Sequence, residues 1–124
     1  MRIGVVGAGC WGTALAKVSA EAGHQVTIWA YEPEVARQIQ DDRMNGMYLP
    51  GVELPSLVAT SELGLAVRGQ DLLLSVTPSH VVREIWSQAA RLIDGEPLVV
   101  SATKGIETVT LASMVEVLRE VLPR

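Results

Sequence analysis

Gly7-Ala8-Gly9-Cys10-Trp11-Gly12 carries three glycines in the spacing Gly-x-Gly-x-x-Gly. That spacing holds a diphosphate when a strand runs into it and a helix runs out of it. Both flanks are present. Ile3, Val5 and Val6 make a short apolar strand, and Thr13–Ala22 has helical periodicity, with Ala14, Leu15 and Val18 on one face and Gly23 as its stop. Gly7 then permits the tight turn, Gly9 lets the backbone approach the diphosphate, and Gly12, with Ala16 a turn further on, lets the helix pack close to the sheet. The free N–H groups and the dipole of the helix N-terminus face the anion. Glu32 completes the pattern about 20 positions past Gly12, at the end of a second strand, Val26–Trp29. A carboxylate there accepts hydrogen bonds from the hydroxyls of an adenine ribose. The glycines alone do not separate NAD, NADP and FAD, and a glycine-rich turn without a ligand is the competing reading.

Other residues with chemistry to offer lie at later loops. Lys104 follows the end of an apolar strand, where doubly wound sheets bind their ligands, and a lysine there neutralises a substrate phosphate or charge near a reacting oxygen. Pro78, Ser79 and His80 follow another such end. Pro78 is expected to shape the loop at that strand end, and His80, in the first turn of a helix, to fix that loop rather than to act as a general acid. His24 sits in a helix-to-strand turn and is expected to be structural. Arg43 and Asn45 either clamp the loop on the adenine side or cap a helix. Asp41-Asp42 has no His or Cys nearby and fits a solvated helix face better than a metal site. Cys10 as a reactive thiol is disfavoured, although a helix N-terminus would lower its pKa. No catalytic residue and no metal ligand is assigned.

These residues need a scaffold, and the chain supplies one by alternating short apolar runs with helical periods. Pro33 opens a helix over Glu34–Met44 that stops at Asn45-Gly46. Met47 to Pro55 is a loop, Leu57–Ala59 a short third strand, and Ser61 caps a short helix ending near Gly69. Asp71–Val76 is a strand buried on both faces. Ser79 caps a helix from His80 to Ile93, Leu98–Ala102 is another buried strand, and Leu111–Leu122 is the last helix. The fold class is α/β: a Rossmann-type, doubly wound, mainly parallel sheet with helices on both faces.

Composition agrees. In 124 residues, 48% are hydrophobic and 19% charged, which excludes a disordered chain. The net charge of −4 and the lack of a basic cluster argue against nucleic acid. No apolar run is long enough for a membrane span, and the single cysteine offers no disulfide framework. Arg2 followed by Ile3–Ala16 is not read as a signal peptide, because its glycines serve the phosphate loop.

Four blocks resemble one family. Gly7 to Ala16 followed by Gly23-His24-x-Val26-x-x-Trp29, then Arg43-x-Asn45-x-x-Tyr48-Leu49-Pro50, then Val76-Thr77-Pro78-Ser79-His80, then Ala102-Thr103-Lys104-Gly105, are similar in order to NAD(P)-dependent glycerol-3-phosphate dehydrogenases. The resemblance implies a cytoplasmic enzyme that interconverts dihydroxyacetone phosphate and sn-glycerol 3-phosphate by hydride transfer, feeding glycerolipid synthesis. It implies NAD or NADP as coenzyme. Gly7, Gly9, Cys10, Trp11, Gly12, Tyr31, Glu32, Pro78 and Lys104 would contact the coenzyme, and Lys104 the substrate as well. Trp11 falls where the family has a coenzyme-contacting aromatic; a wedge between loop and core is its alternative. Cys10 stands where bacterial members often have Ser, and its backbone N–H keeps the phosphate role. Tyr31 stands near a position where members often have Arg or His. A neutral ring packs on adenine but cannot neutralise a 2′-phosphate, so with Glu32 it favours NAD, although Arg37 one turn into the next helix is a possible cation for NADP.

Residues 1–124 are thus expected to be an N-terminal NAD(P)-binding domain, incomplete at its last strand and without the helical substrate domain of the family, so that the chain alone lacks turnover. An unfinished sheet leaves an edge strand that can pair with another copy, so a homodimer is an expectation. Two alternatives stand beside this reading: a stand-alone dinucleotide-binding or redox-sensing module, and the nucleotide domain of another two-domain hydroxyacid dehydrogenase.

Overall fold

The computed structural model describes residues 1–103 and 112–122. Five strands, β1 (Arg2–Val6), β2 (Gln25–Trp29), β3 (Val58–Thr60), β4 (Leu72–Ser75) and β5 (Leu98–Ser101), pair in parallel in the order β3-β2-β1-β4-β5. The chain winds outward from β1 through β2 to β3, then returns to the other side of β1 for β4 and β5. This reversal puts the topological switch point between β1 and β4, where such sheets bind ligands. Register brings three strand ends level there, with Val6 opposite both Trp29 and Ser75.

Alternation along the strands divides the core in two. Ile3, Val5, Val26 and Ile28 pack against Ala16 of α1 (Cys10–Glu21) and Val35, Ala36 and Ile39 of α2 (Pro33–Asp42). Val6, Trp29 and Leu73 face the other way. They pack against α3 (Leu63–Val67), α4 (Val82–Ala90) and α5 (Met114–Val121), with Trp86, Val82 and Val117 fully buried. The expected doubly wound sheet with helices on both faces is what forms.

Several local expectations need correction. Helix α1 starts at Cys10 rather than Thr13, because the glycine turn is complete at Gly9, which acts as its N-cap. Helix α2 ends at Arg43, whose φ of 56° is left-handed, two residues before the expected Asn45-Gly46 stop. Ser61 does not cap α3; Glu62 is the N-cap residue, and its N–H donates to Thr60 Oγ1. Ser79 does not cap a long helix. Ser79–Val81 is a 3-10 turn, closed by Val81 N–H on Pro78 O, and α4 begins after it. Strand β5 is not buried on both faces. It is the outermost strand on its side among the described residues; α4 and α5 cover the face to which Val99 points, while Leu98 and Val100 stay 65% and 41% exposed.

Helix α5 opens with a capping box that the apolar stripe through Val115, Leu118 and Leu122 obscures in the sequence. Ser113 Oγ accepts from Glu116 N–H, and the Glu116 carboxylate accepts from Ser113 N–H. Those bonds to Ser113, backbone first, hold the Glu116 carboxyl below its ordinary pKa of 4.5. Ser113→Ala is expected to cost about 1 kcal/mol in urea denaturation at neutral pH. A depressed carboxyl stabilises the fold above its unfolded pKa and loses that effect as pH falls through the folded value. The gap between parent and variant should therefore narrow in acid.

Candidate functional site

The loops after β1, β2 and β4 open into one cleft of about 730 Å³. Its floor is the glycine turn. Gly7 has φ 128°, and a Cβ there would stand 2.8 Å from the Val76 carbonyl carbon, so a side chain is excluded by conformation and by space. A Cβ on Gly12 would strike the Gly7 carbonyl, so the start of α1 lies directly against the turn. Gly9 differs: a Cβ there would meet nothing within 4 Å. Among the described residues no packing requires glycine at this position, which lines the cleft.

That space faces the start of a 12-residue helix. The first backbone bond in this turn runs from Thr13 N–H to Gly9 O, so the N–H groups of Cys10, Trp11 and Gly12 precede the helical ladder. No side chain caps them. They line the cleft as a set of donors at the positive end of the helix dipole.

Asn45 holds the turn from behind. It is 1% exposed, and its Nδ2 donates to Ala8 O at 2.9 Å and to Thr13 Oγ1 at 2.8 Å. Of Arg43 and Asn45, Arg43 takes the helix cap, and the Asn45 amide holds the glycine turn rather than a loop on the adenine side. Asn45 Oδ1 accepts the N–H of Tyr48 at 3.2 Å, and the Tyr48 hydroxyl donates to Glu32 Oε2. Glu32 is the N-cap residue of α2, yet its side chain caps nothing; its carboxylate turns to the cleft. The bond to Glu32 is the largest cause of a Tyr48 pKa raised above 10.0.

The rim is aromatic. Trp11 is 59% and Tyr31 76% exposed, both lining the cleft, so Trp11 is not a wedge into the core. Tyr31 meets Trp29 edge to face at 6.3 Å, and Trp29 is fixed by its Nε1 donating to Ser61 O. Pro78 and Thr77 form the far wall, backed by Thr103 Oγ1 donating to Thr77 O at 2.7 Å.

The structure thus gathers Gly7, Gly9, Cys10, Trp11, Gly12, Tyr31, Glu32 and Pro78 into one cleft. Lys104 lies outside the described residues. His80 is exposed and does not line the cleft, and His24 meets the chain N-terminus in the turn before β2. Arg37 borders a separate depression beside Asp41 and Asp42 on α2. Among the described residues no Lys or Arg lines the cleft, and none form a metal-binding group of His, Cys, Asp and Glu. No described helix is long and apolar enough to cross a membrane. Sequence reasoning missed Tyr48 as a cleft residue, although it stands in a block already singled out.

The family model for the N-terminus of NAD-dependent glycerol-3-phosphate dehydrogenase matches residues 2–124. The chain belongs to this family. It is 45% identical over 123 residues to a glycerol-3-phosphate dehydrogenase (NAD(P)+) of Citrifermentans bemidjiense, with 98% of this chain and 37% of that protein covered. Among solved structures, a glycerol-3-phosphate dehydrogenase from Coxiella burnetii superposes with a TM-score of 0.90 at 33% identity, over 99% of this chain and 38% of that one. The enzyme of the same name from Saccharomyces cerevisiae gives 0.87 at 29% identity, over 98% and 39%. The chain therefore spans under two fifths of the length of these relatives, and the four blocks of the resemblance lie in the part they share with it.

Proposed function

We propose that this chain is the coenzyme-binding domain of an oxidoreductase interconverting dihydroxyacetone phosphate and sn-glycerol 3-phosphate. The observation that carries the reading is Gly9: a backbone kept bare toward open space, beside three unladdered N–H groups at the switch point of the sheet. That cradle fits a dinucleotide diphosphate. Membership of the family and the names of its relatives supply the substrate class.

A bound nicotinamide coenzyme would supply or take up the hydride. This chain's residues bind and orient. The N–H groups of Cys10, Trp11 and Gly12 would hold the diphosphate, and Glu32 would accept from the adenine ribose. Trp11 and Tyr31 offer exposed ring faces at the rim, and Thr77 and Pro78 shape the wall on the nicotinamide side. Lys104, just past β5, is assigned to the coenzyme and to the substrate phosphate.

We favour NAD over NADP. The Glu32 carboxylate lines the cleft at the end of β2 and would repel a 2′-phosphate bound beside it, and no described cation lines the cleft to offset that charge. Two like charges ~4 Å apart repel by about 4 kcal/mol at an effective dielectric of ~20, and solvent reduces this, so a tenfold to thousandfold preference follows at ~1.4 kcal/mol per decade. The test is a pair of fluorescence titrations with NADH and NADPH at one salt concentration. The parent should favour NADH, and Tyr31→Arg/Glu32→Ser should shift toward NADPH. A parent that binds neither rejects the domain assignment; one that binds NADPH as tightly rejects the preference.

A further inference from the structure

Among the described residues lining the cleft, Glu32 carries the carboxylate at the end of β2 that could be placed against a ribose, and an N-cap glutamate on a cleft rim has several rotamers open to it. What selects one is Tyr48. The link is continuous. Asn45 is fixed to the glycine turn through Ala8 O and Thr13 Oγ1, Tyr48 N–H is fixed to Asn45 Oδ1, Leu49 N–H is fixed to Asn45 O at 2.8 Å, and the Tyr48 hydroxyl ends the series on Glu32 Oε2. The segment 45–49 is therefore a strut between the part of the cleft that would hold phosphate and the part that would hold ribose.

We propose that Tyr48 is a positioning residue for coenzyme choice: its phenol holds Glu32 toward the cleft, so that a ribose with a free 2′-hydroxyl is accepted and one with a 2′-phosphate is rejected. The proposal rests on the reading of the cleft as a nicotinamide dinucleotide site. One carboxylate oxygen is occupied by the phenol, and the other, Oε1, stays available to a ribose hydroxyl. Without the phenol the carboxylate is free to turn toward water. It then offers a weaker acceptor to NADH and a weaker repulsion to NADPH, and both changes lower discrimination.

Tyr48→Phe removes the hydroxyl and keeps the ring, so the fold has no new cavity to fill. NADH and NADPH are titrated against the full 124-residue chain as parent, Tyr48→Phe, Glu32→Gln and the double variant, at one ionic strength. In Tyr48→Phe the ratio of the NADPH to the NADH dissociation constant should fall by about threefold to tenfold, with an unchanged melting temperature. A purely structural role would weaken both nucleotides alike and leave the ratio in place. Because Tyr48 acts through Glu32, the double variant should show the ratio of Glu32→Gln alone. A ratio in Tyr48→Phe equal to the parent's overturns the proposal, as does a double variant in which the two effects add. Binding of neither nucleotide by the parent overturns the reading of the cleft instead.

Discussion

Gly9→Val is expected to weaken NADH binding by roughly a hundredfold or more while leaving the protein folded. The two halves of this expectation come from the same geometry. Among the described residues a Cβ at residue 9 meets no non-neighbouring atom within 4 Å, and φ of −74° is open to any L-residue, so the branched side chain strains nothing there. The cost to the fold is limited to a poorer N-cap residue, about 1 kcal/mol. The branched carbons instead fill the space over the N–H groups of Cys10, Trp11 and Gly12. Hydrogen bonds to a charged group contribute about 1.5–3 kcal/mol each, and the loss of two corresponds to two to four decades in affinity at ~1.4 kcal/mol per decade. Fluorescence titration beside a thermal melt separates the effects. A variant that binds NADH like the parent would show that the diphosphate does not lie over Gly9. Gly7→Val makes the contrast, since its φ of 128° and the Val76 carbonyl predict loss of the fold itself.

The glycine loop was legible in the sequence because Gly7 and Gly12 answer to local demands of turn and packing, and local demands leave local patterns. The order of elements was legible for the same reason. Strand β5 was not. Leu98–Val100 is an unbroken apolar run like that of a buried strand, but among the described residues β5 pairs only with β4, and Leu98 and Val100 point to the face opposite Val99, away from α4 and α5. The start of α4 was misjudged because Ser79 satisfies the preference for an N-cap, while the bond from Val81 N–H to Pro78 O closes a 3-10 turn first. Tyr48 was the missed cleft residue. A tyrosine in a loop carries no periodic signal, and its bond to Glu32 spans 16 positions. Arg43 and Asn45 had the same two readings in the sequence. Burial separates them, since Asn45 is 1% exposed and Arg43 lies on the surface.

That separation leads to opposite expectations for two neighbouring substitutions. Arg43 adopts φ of 56°, which is costly for a residue with a Cβ and free for glycine. Arg43→Gly should therefore be neutral or stabilising, by up to about 1 kcal/mol. Asn45→Ala should be destabilising by about 2–4 kcal/mol, because it removes two buried donations at once and leaves the Tyr48 N–H without its acceptor. For a domain of this size the loss corresponds to a fall of roughly 10 °C in melting temperature. The Ala8 carbonyl retains Thr13 Oγ1 at 3.3 Å, so the turn is loosened rather than abolished. The consequence for binding is distinct from that of Gly9→Val. The diphosphate seat stays empty of side chain but is no longer held in place, and the same substitution frees Tyr48 and with it Glu32. Affinity for NADH should fall at temperatures well below the melting transition, and discrimination against NADPH should fall with it. If Asn45→Ala melts like the parent and binds both nucleotides like the parent, the clamp carries no weight in either fold or site, and the hydrogen bonds from residue 45 are incidental to the shape of the turn.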